Sequence, residues 1–128
     1  MAKREVIEIP GVTHGKAPIP MGAKIGSIIY SSAIMGKDPE TDQLPRDSRD
    51  QLKFLFQNIR SFMLSAGGST EDIIRFTVYL SENDFREGFN EEWLKMFPNP
   101  DDRPARHITV SPLRNGMVAQ VEIVAVLS

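Results

Sequence analysis

Between residues 47 and 80 the chain changes its hydrophobic period, and this switch constrains the fold more than any other feature. Leu52, Leu55, Phe56, Ile59, Phe62, Met63 and Ala66 recur at three- and four-residue spacing, which makes one apolar stripe on a helix. Asp47 or Ser48 can cap its start, and Gly67-Gly68 supplies a left-handed stop. After Ser69–Asp72 the period drops to two: Ile74, Phe76, Val78 and Leu80 alternate with Arg75, Thr77 and Tyr79, as in a strand. Phe85, Phe89, Trp93 and Phe97 then sit four apart on a second helix, capped by Asn83 or Ser81 and ended by Pro98-Asn99-Pro100. This aromatic stripe reads as core.

Strands fill the rest. Val6–Ile9 is stopped by Pro10-Gly11, and a loop runs from Val12 to Pro20. Gly26-Ser27 joins Ala23–Ile25 to Ile28–Ser32 as a type II′ hairpin turn. Gly36–Pro45 is a polar connection. Ala105–Val110 and Val118–Leu127 are the last strands, and Asn115-Gly116 between them is a hairpin signal. The order β-β-β-α-β-α-β-β predicts an α+β domain over residues 1–128, a six-stranded mixed sheet with two helices on one face. Two helices cannot cover both faces, so the second face is expected to meet another subunit.

Several function classes fall away. With no cysteine in 128 residues there is no thiol nucleophile and no thiolate metal site. Two histidines, His14 and His107, are too few and too far apart to suggest a metal centre. Asp38, Glu40 and Asp42 lack the glycine and the twelfth-position glutamate of a calcium loop. No metal and no cofactor is expected. Fifteen basic against 17 acidic residues, net −2, leave no basic stripe for nucleic acid. No run approaches the roughly 20 apolar residues that span a bilayer, and no signal-peptide h-region follows Lys3-Arg4, so a cytoplasmic protein without membrane contact is the expectation.

Two residues stand out against this background. Glu122 lies inside Val121–Leu127, the most apolar stretch of the C-terminal half. A carboxylate there is costly unless paired or wet. It is either an exposed or ion-paired structural residue, or a group that positions or deprotonates water. Arg106 follows Pro104-Ala105 at the start of a strand; it is either a solvated surface arginine or a two-pronged grip on a carboxylate. A hairpin through Asn115-Gly116 would set the two strands side by side, which equally allows a shared site or a plain cross-strand salt bridge.

In the order of these motifs, from about Pro18 to Leu127, the chain resembles the RidA/YjgF family of reactive-intermediate deaminases. The matching pieces are Gly26–Ser32, the helix Gln51–Gly68, Thr77–Leu80, Phe89-Asn90, Pro104-Ala105-Arg106 and Val121-Glu122-Ile123. The resemblance implies a chorismate-mutase-like fold assembled as a homotrimer, with sites in clefts between subunits. It also implies a small-molecule carboxylate substrate. Arg106 would hold the carboxylate of a 2-imino or 2-enamino acid, and Glu122 would orient the water that releases ammonia and a 2-oxo acid. Ser32 matches the family's hydroxyl position and Asn90 an asparagine of the second helix.

The departures are Ile19, Met21, Ala33, Ile108 and Val124, where the family usually carries an aromatic, a glutamine, a glycine, a cysteine and an acid. Ile19, Ala33 and Ile108 are candidate substrate contacts beside Arg106 and Ser32. With Met21 they suggest a more apolar pocket and a larger or more hydrophobic unsaturated amino acid. The competing reading is a non-catalytic binder of small carboxylates. A ribonuclease activity, sometimes attached to the family, is opposed by the net negative charge.

Overall fold

The structure, a computed structural model, describes residues 3–128. Strands β1 (Glu5–Ile7), β2 (Gly22–Ile25), β3 (Ile28–Ser31) and β4 (Ile34–Met35) precede helix α1 (Ser48–Ser65); β5 (Ile73–Leu80), helix α2 (Arg86–Met96), β6 (Ala105–Val110) and β7 (Ala119–Val126) follow. The two helices and mixed sheet are those the pattern predicts, with β4 as an addition too short to carry a period.

Local chemistry sets the boundaries. Asp47 caps α1 by accepting from the amides of Arg49 (2.7 Å) and Asp50 (3.2 Å). At the other end Gly67, at φ +88°, donates to Leu64 O, and Gly68 donates to Met63 O. That is the Schellman pair, and the left-handed position suits glycine. Gly26 takes φ +59° between β2 and β3, as the hairpin turn requires. Helix α2 starts later than expected, at Arg86, because Asn83–Phe85 form a 3₁₀ turn ahead of it.

The sheet runs β1-β2-β3-β7-β5-β6, with β4 also paired to β7. All pairings are antiparallel except β5 with β6, which α2 joins as a crossover. The last strand therefore enters the middle of the sheet and leaves β6 on the edge. The expected β6–β7 hairpin is absent. Asn115 (φ +59°) and Gly116 (φ +76°) do make a tight turn, closed by Met117 N–H to Arg114 O at 3.0 Å. That turn sits inside a longer connection, so the local signal is right and the pairing drawn from it is wrong. Within β5 the alternation also slips: a bulge between Ile73 and Arg75 leaves Ile74 half-exposed, not inward.

Both helices cover one face. Phe76, Val78 and Leu80 of β5, with Val121, Ile123 and Ala125 of β7, are buried beneath Leu55, Phe56, Ile59 and Phe62 of α1 and Phe89 and Trp93 of α2. Aromatic contacts run across this layer, from Phe56 to Phe76 and edge-on from Phe76 to Trp93. Gln51, itself buried, ties the connections down: its amide nitrogen donates to Pro45 O and Gly116 O, and its oxygen accepts from Val118 N–H. The opposite face carries no helix and exposes Val6, Ile25, Ile28, Tyr30 and Val126, with Val6 at 64% and Tyr30 at 60%.

Candidate functional site

Arg106 stands opposite Phe76 in the parallel β5–β6 pair, and Phe76 stands opposite Ile123 of β7. Paired residues share a face, so Arg106 points to the helix side. Because β6 is the edge strand, the guanidinium emerges where the helical layer ends. The i, i+4 pair Phe89 and Trp93 turns its rings inward, and Asn90, one residue past Phe89, falls on the flank toward β6. There Arg106 Nη1 donates to Asn90 Oδ1 at 2.7 Å. The guanidinium carbon lies 4.8 Å from the Trp93 ring centre and 5.7 Å from that of Phe89. Burial, and then the nearby charge of Arg86, lower its pKa from the ordinary guanidinium value. Among the described residues no carboxylate pairs with it.

Glu122 is placed by the same alternation on the other face. Val121 and Ile123 are buried and Glu122 between them is exposed, so within the protomer the carboxylate is wet and bears no burial cost. It stands opposite Thr77, which stands opposite His107, and Arg75 Nε donates to Thr77 Oγ1 at 3.2 Å. Two strand intervals of about 4.8 Å put β6 and β7 roughly 10 Å apart, and the two side chains leave opposite faces of the sheet. A cross-strand Arg106–Glu122 salt bridge is therefore excluded within one protomer.

Ser32 and Ala33 lie beside Glu122. β3 pairs with β7 as far as Tyr30 opposite Val124, and β4 resumes at Ile34 opposite Val121. Ser31–Ala33 thus face Glu122 and Ile123, three residues against two. Ser31 Oγ accepts the Ile123 amide at 2.8 Å, filling the gap in the ladder. Ser32 is fixed twice, its N–H donating to Met21 O and its hydroxyl to Pro20 O, both at 2.8 Å. Ile19, next to Pro20, is half-exposed. Ile108 shares the helix side with Arg106, partly buried against the core. Val124 shares the open face with Glu122.

The sequence-derived residues thus form two groups: Arg106, Asn90 and Ile108 at the β6 edge, and Glu122, Ser32, Ala33 and Ile19 around the β3–β4 break. Met21 joins neither. It is fully buried in the core, so it cannot line an apolar pocket as the sequence suggested. Sequence reasoning also missed the row Glu122–Thr77–His107, which needs the true strand order.

Comparison with known proteins agrees with this architecture. A family model described as endoribonuclease L-PSP matches residues 17–127. TdcF of Escherichia coli K12, named as a reactive intermediate deaminase, is 28% identical over 131 residues, 98% of each chain. A RutC family protein of Pyrococcus abyssi is 33% identical over 118 residues, 86% of this chain and 91% of the relative. Among solved structures, RidA from the Antarctic bacterium Psychrobacter sp. PAMC 21119 superposes with a TM-score of 0.87 at 27% identity, covering 96% of this chain and 99% of its own. E. coli TdcF with bound serine gives 0.87 at 25%, covering 97% and 99%. On this match in sequence and fold, the chain belongs to the RidA/YjgF family, the group that the endoribonuclease L-PSP model describes.

Proposed function

We propose that the protein hydrolyses a 2-imino or 2-enamino acid to the 2-oxo acid and ammonia, in clefts where the Arg106 edge of one protomer meets the Glu122 face of its neighbour in a homotrimer. The observation that carries this reading is the Arg106 guanidinium. It is held by Asn90 and two aromatic rings, unpaired with any carboxylate among the described residues, and has a free donor edge. Such an edge matches a substrate carboxylate with two parallel hydrogen bonds. The bare sheet face with its apolar band supports the assembly. A solved TdcF holds serine, whose α-carboxylate is the group an arginine of this kind grips.

In the cleft Glu122 accepts a proton from water as the oxygen attacks the imine carbon, and passes it to nitrogen, which receives the C=N π pair; the carbinolamine then gives its hydroxyl proton through Glu122 to nitrogen as the C–N bond breaks. Imine and water become 2-oxo acid and ammonia. An enamine reaches the same path after protonation at C3. The substrate supplies the electrophile, so a placed water and a fixed carboxylate suffice without a strong nucleophile.

One observation favours a second reading, a carboxylate binder without turnover. The anchor is complete within a protomer, whereas Glu122 leaves the opposite face. Imines generated in situ by an amino-acid oxidase separate the two. The wild type should accelerate ammonia release, Arg106→Ala should raise KM about tenfold or more, and Glu122→Gln should lower kcat about a hundredfold or more. No acceleration over buffer with any imine, together with carboxylate binding that Arg106→Ala abolishes, would establish the binder.

A further inference from the structure

The open face of the sheet is divided. Across β6, β5 and β7 the register sets His107, Thr77 and Glu122 in one row, with Ala105, Arg75 and Val124 before it and Thr109, Tyr79 and Gln120 after it. Polar side chains fill this half except at Ala105 and Val124. The other half, carried by β1, β2, β3 and the end of β7, is the apolar band of Val6, Ile25, Ile28, Tyr30 and Val126. Polar groups taken out of water need partners, so the bonds within the polar half decide what it can do.

One of those bonds is made. Arg75 Nε donates to Thr77 Oγ1 at 3.2 Å, and this directs the next. A hydroxyl has a single proton to give, and with Arg75 filling a lone pair that proton points elsewhere. Thr77 stands directly opposite Glu122 in the antiparallel β5–β7 pair, where Cβ atoms lie about 4.5–5.5 Å apart. His107, opposite Thr77 on the β6 side, is the other acceptor in the row, and a carboxylate is the stronger of the two. Beyond Glu122 the serines are engaged elsewhere: Ser32 gives its proton to Pro20 O, and Ser31 Oγ is turned to the Ile123 amide. Among the described residues Glu122 makes no ion pair, with Arg75 or any other cation.

We propose that Thr77, held by Arg75, is the positioning residue of Glu122: its hydroxyl donates to one carboxylate oxygen and leaves the other to take the proton of the attacking water. The chain runs from a cation through a hydroxyl to a carboxylate, and Arg75 polarises the hydroxyl into a better donor. A glutamate exposed on its strand otherwise samples several rotamers. Holding it in one is the orientation a general base requires. The proposal rests on the deaminase reading for the rate it affects, while the contact it asserts stands apart from turnover.

Thr77→Val keeps the shape of the side chain and removes the hydroxyl. With 2-iminobutanoate generated in situ, its kcat should fall about tenfold, with KM changed by less than about twofold because Arg106 still holds the carboxylate. Thr77→Ser should restore most of the rate, and Thr109→Val, the same change one row along, should leave kcat as it was. Arg75→Met should lower kcat about threefold by itself and not at all when added to Thr77→Val, since it acts through the hydroxyl. A wild-type kcat in Thr77→Val, a loss that Thr77→Ser does not restore, or an equal effect of Arg75→Met in both backgrounds overturns the proposal. The contact is read without turnover from the carboxyl carbon-13 resonance of Glu122, assigned as the one missing in Glu122→Gln. It should move in Thr77→Val, return in Thr77→Ser and stay in place in Thr109→Val. A protein that hydrolyses no imine yet shows this pattern refutes the deaminase reading and upholds the contact. A resonance that Thr77→Val leaves in place refutes the contact.

Discussion

Protomers carrying Arg106→Ala and protomers carrying Glu122→Gln, each low in kcat/KM alone, are expected to complement one another when mixed. The expectation follows from strand register. Arg106 shares the helix side with Phe76, Glu122 shares the open side with Thr77, and β5 lies between their strands. At roughly 10 Å between strands and with opposite directions, the two cannot grip one small substrate within a protomer. In a cyclic assembly every cleft then takes its arginine from one protomer and its glutamate from the next. A trimer of two mutant types in either proportion contains one cleft in which both are intact, about a third of its sites. Random 1:1 exchange, with a quarter of trimers unmixed, gives about a quarter of the wild-type activity per protomer.

The assay needs two tags, tandem purification of mixed trimers after co-expression, and ammonia release per protomer. Tandem purification isolates the mixed species, so about a third of wild-type kcat/KM, read with substrate well below KM, is the number to expect. If mixed trimers of verified composition are no more active than the parent variants, both residues act from one protomer and the register argument is wrong. A monomer by size-exclusion chromatography would remove the shared cleft altogether.

Two further outcomes follow from single hydrogen bonds and from burial. Asn90→Ala removes a bond to a charged group, about 1.5–3 kcal/mol, so KM should rise about ten- to a hundredfold with a smaller change in kcat; an unchanged KM would show that the rings alone hold Arg106. Burial first, then the charge of Lys37, hold the His14 pKa below its ordinary value, and its Nε2 is buried without a partner among the described residues. The unfolded chain therefore takes up the proton first, so this stability is present above about pH 6.5 and lost as pH falls through it. The melting temperature of the wild type should drop more steeply than that of His14→Gln between about pH 7.5 and 5.5, and parallel curves would refute the assignment.

What the sequence reveals is what depends on neighbours along the chain. The α1 stripe, its Asp47 cap and Gly67 stop, and the turn at Gly26 are all set within a few residues, and all stand where the pattern puts them. Asn115-Gly116 shows the limit. Its left-handed conformation is local and legible, but whether the flanking strands pair depends on where β7 finds its best partners. Those are β3, β4 and β5, which bury Val121, Ile123 and Ala125. The same long-range choice decides the site. Arg106 and Glu122 stand out from sequence as misfits in apolar surroundings, whereas Asn90 as the arginine's support and Thr77 as the glutamate's neighbour require the register.

The misplaced hairpin also bears on why the two groups can work at all. Had β6 and β7 paired with the two side chains on one face, Arg106 and Glu122 would have formed a cross-strand ion pair, each satisfying the other before any ligand arrived. Inserting β5 between them and turning them to opposite faces forbids that contact. It leaves a guanidinium whose one fixed bond is to a neutral amide and a carboxylate open to water. In the proposed assembly both would enter without an ionic partner, and a carboxylate-bearing imine with its attacking water would supply one to each. In the proposed assembly the apolar open face would do more than bury surface: docking it would bring the Glu122 carboxylate of one protomer toward the carboxylate-binding edge of the next, with the substrate as the link between them.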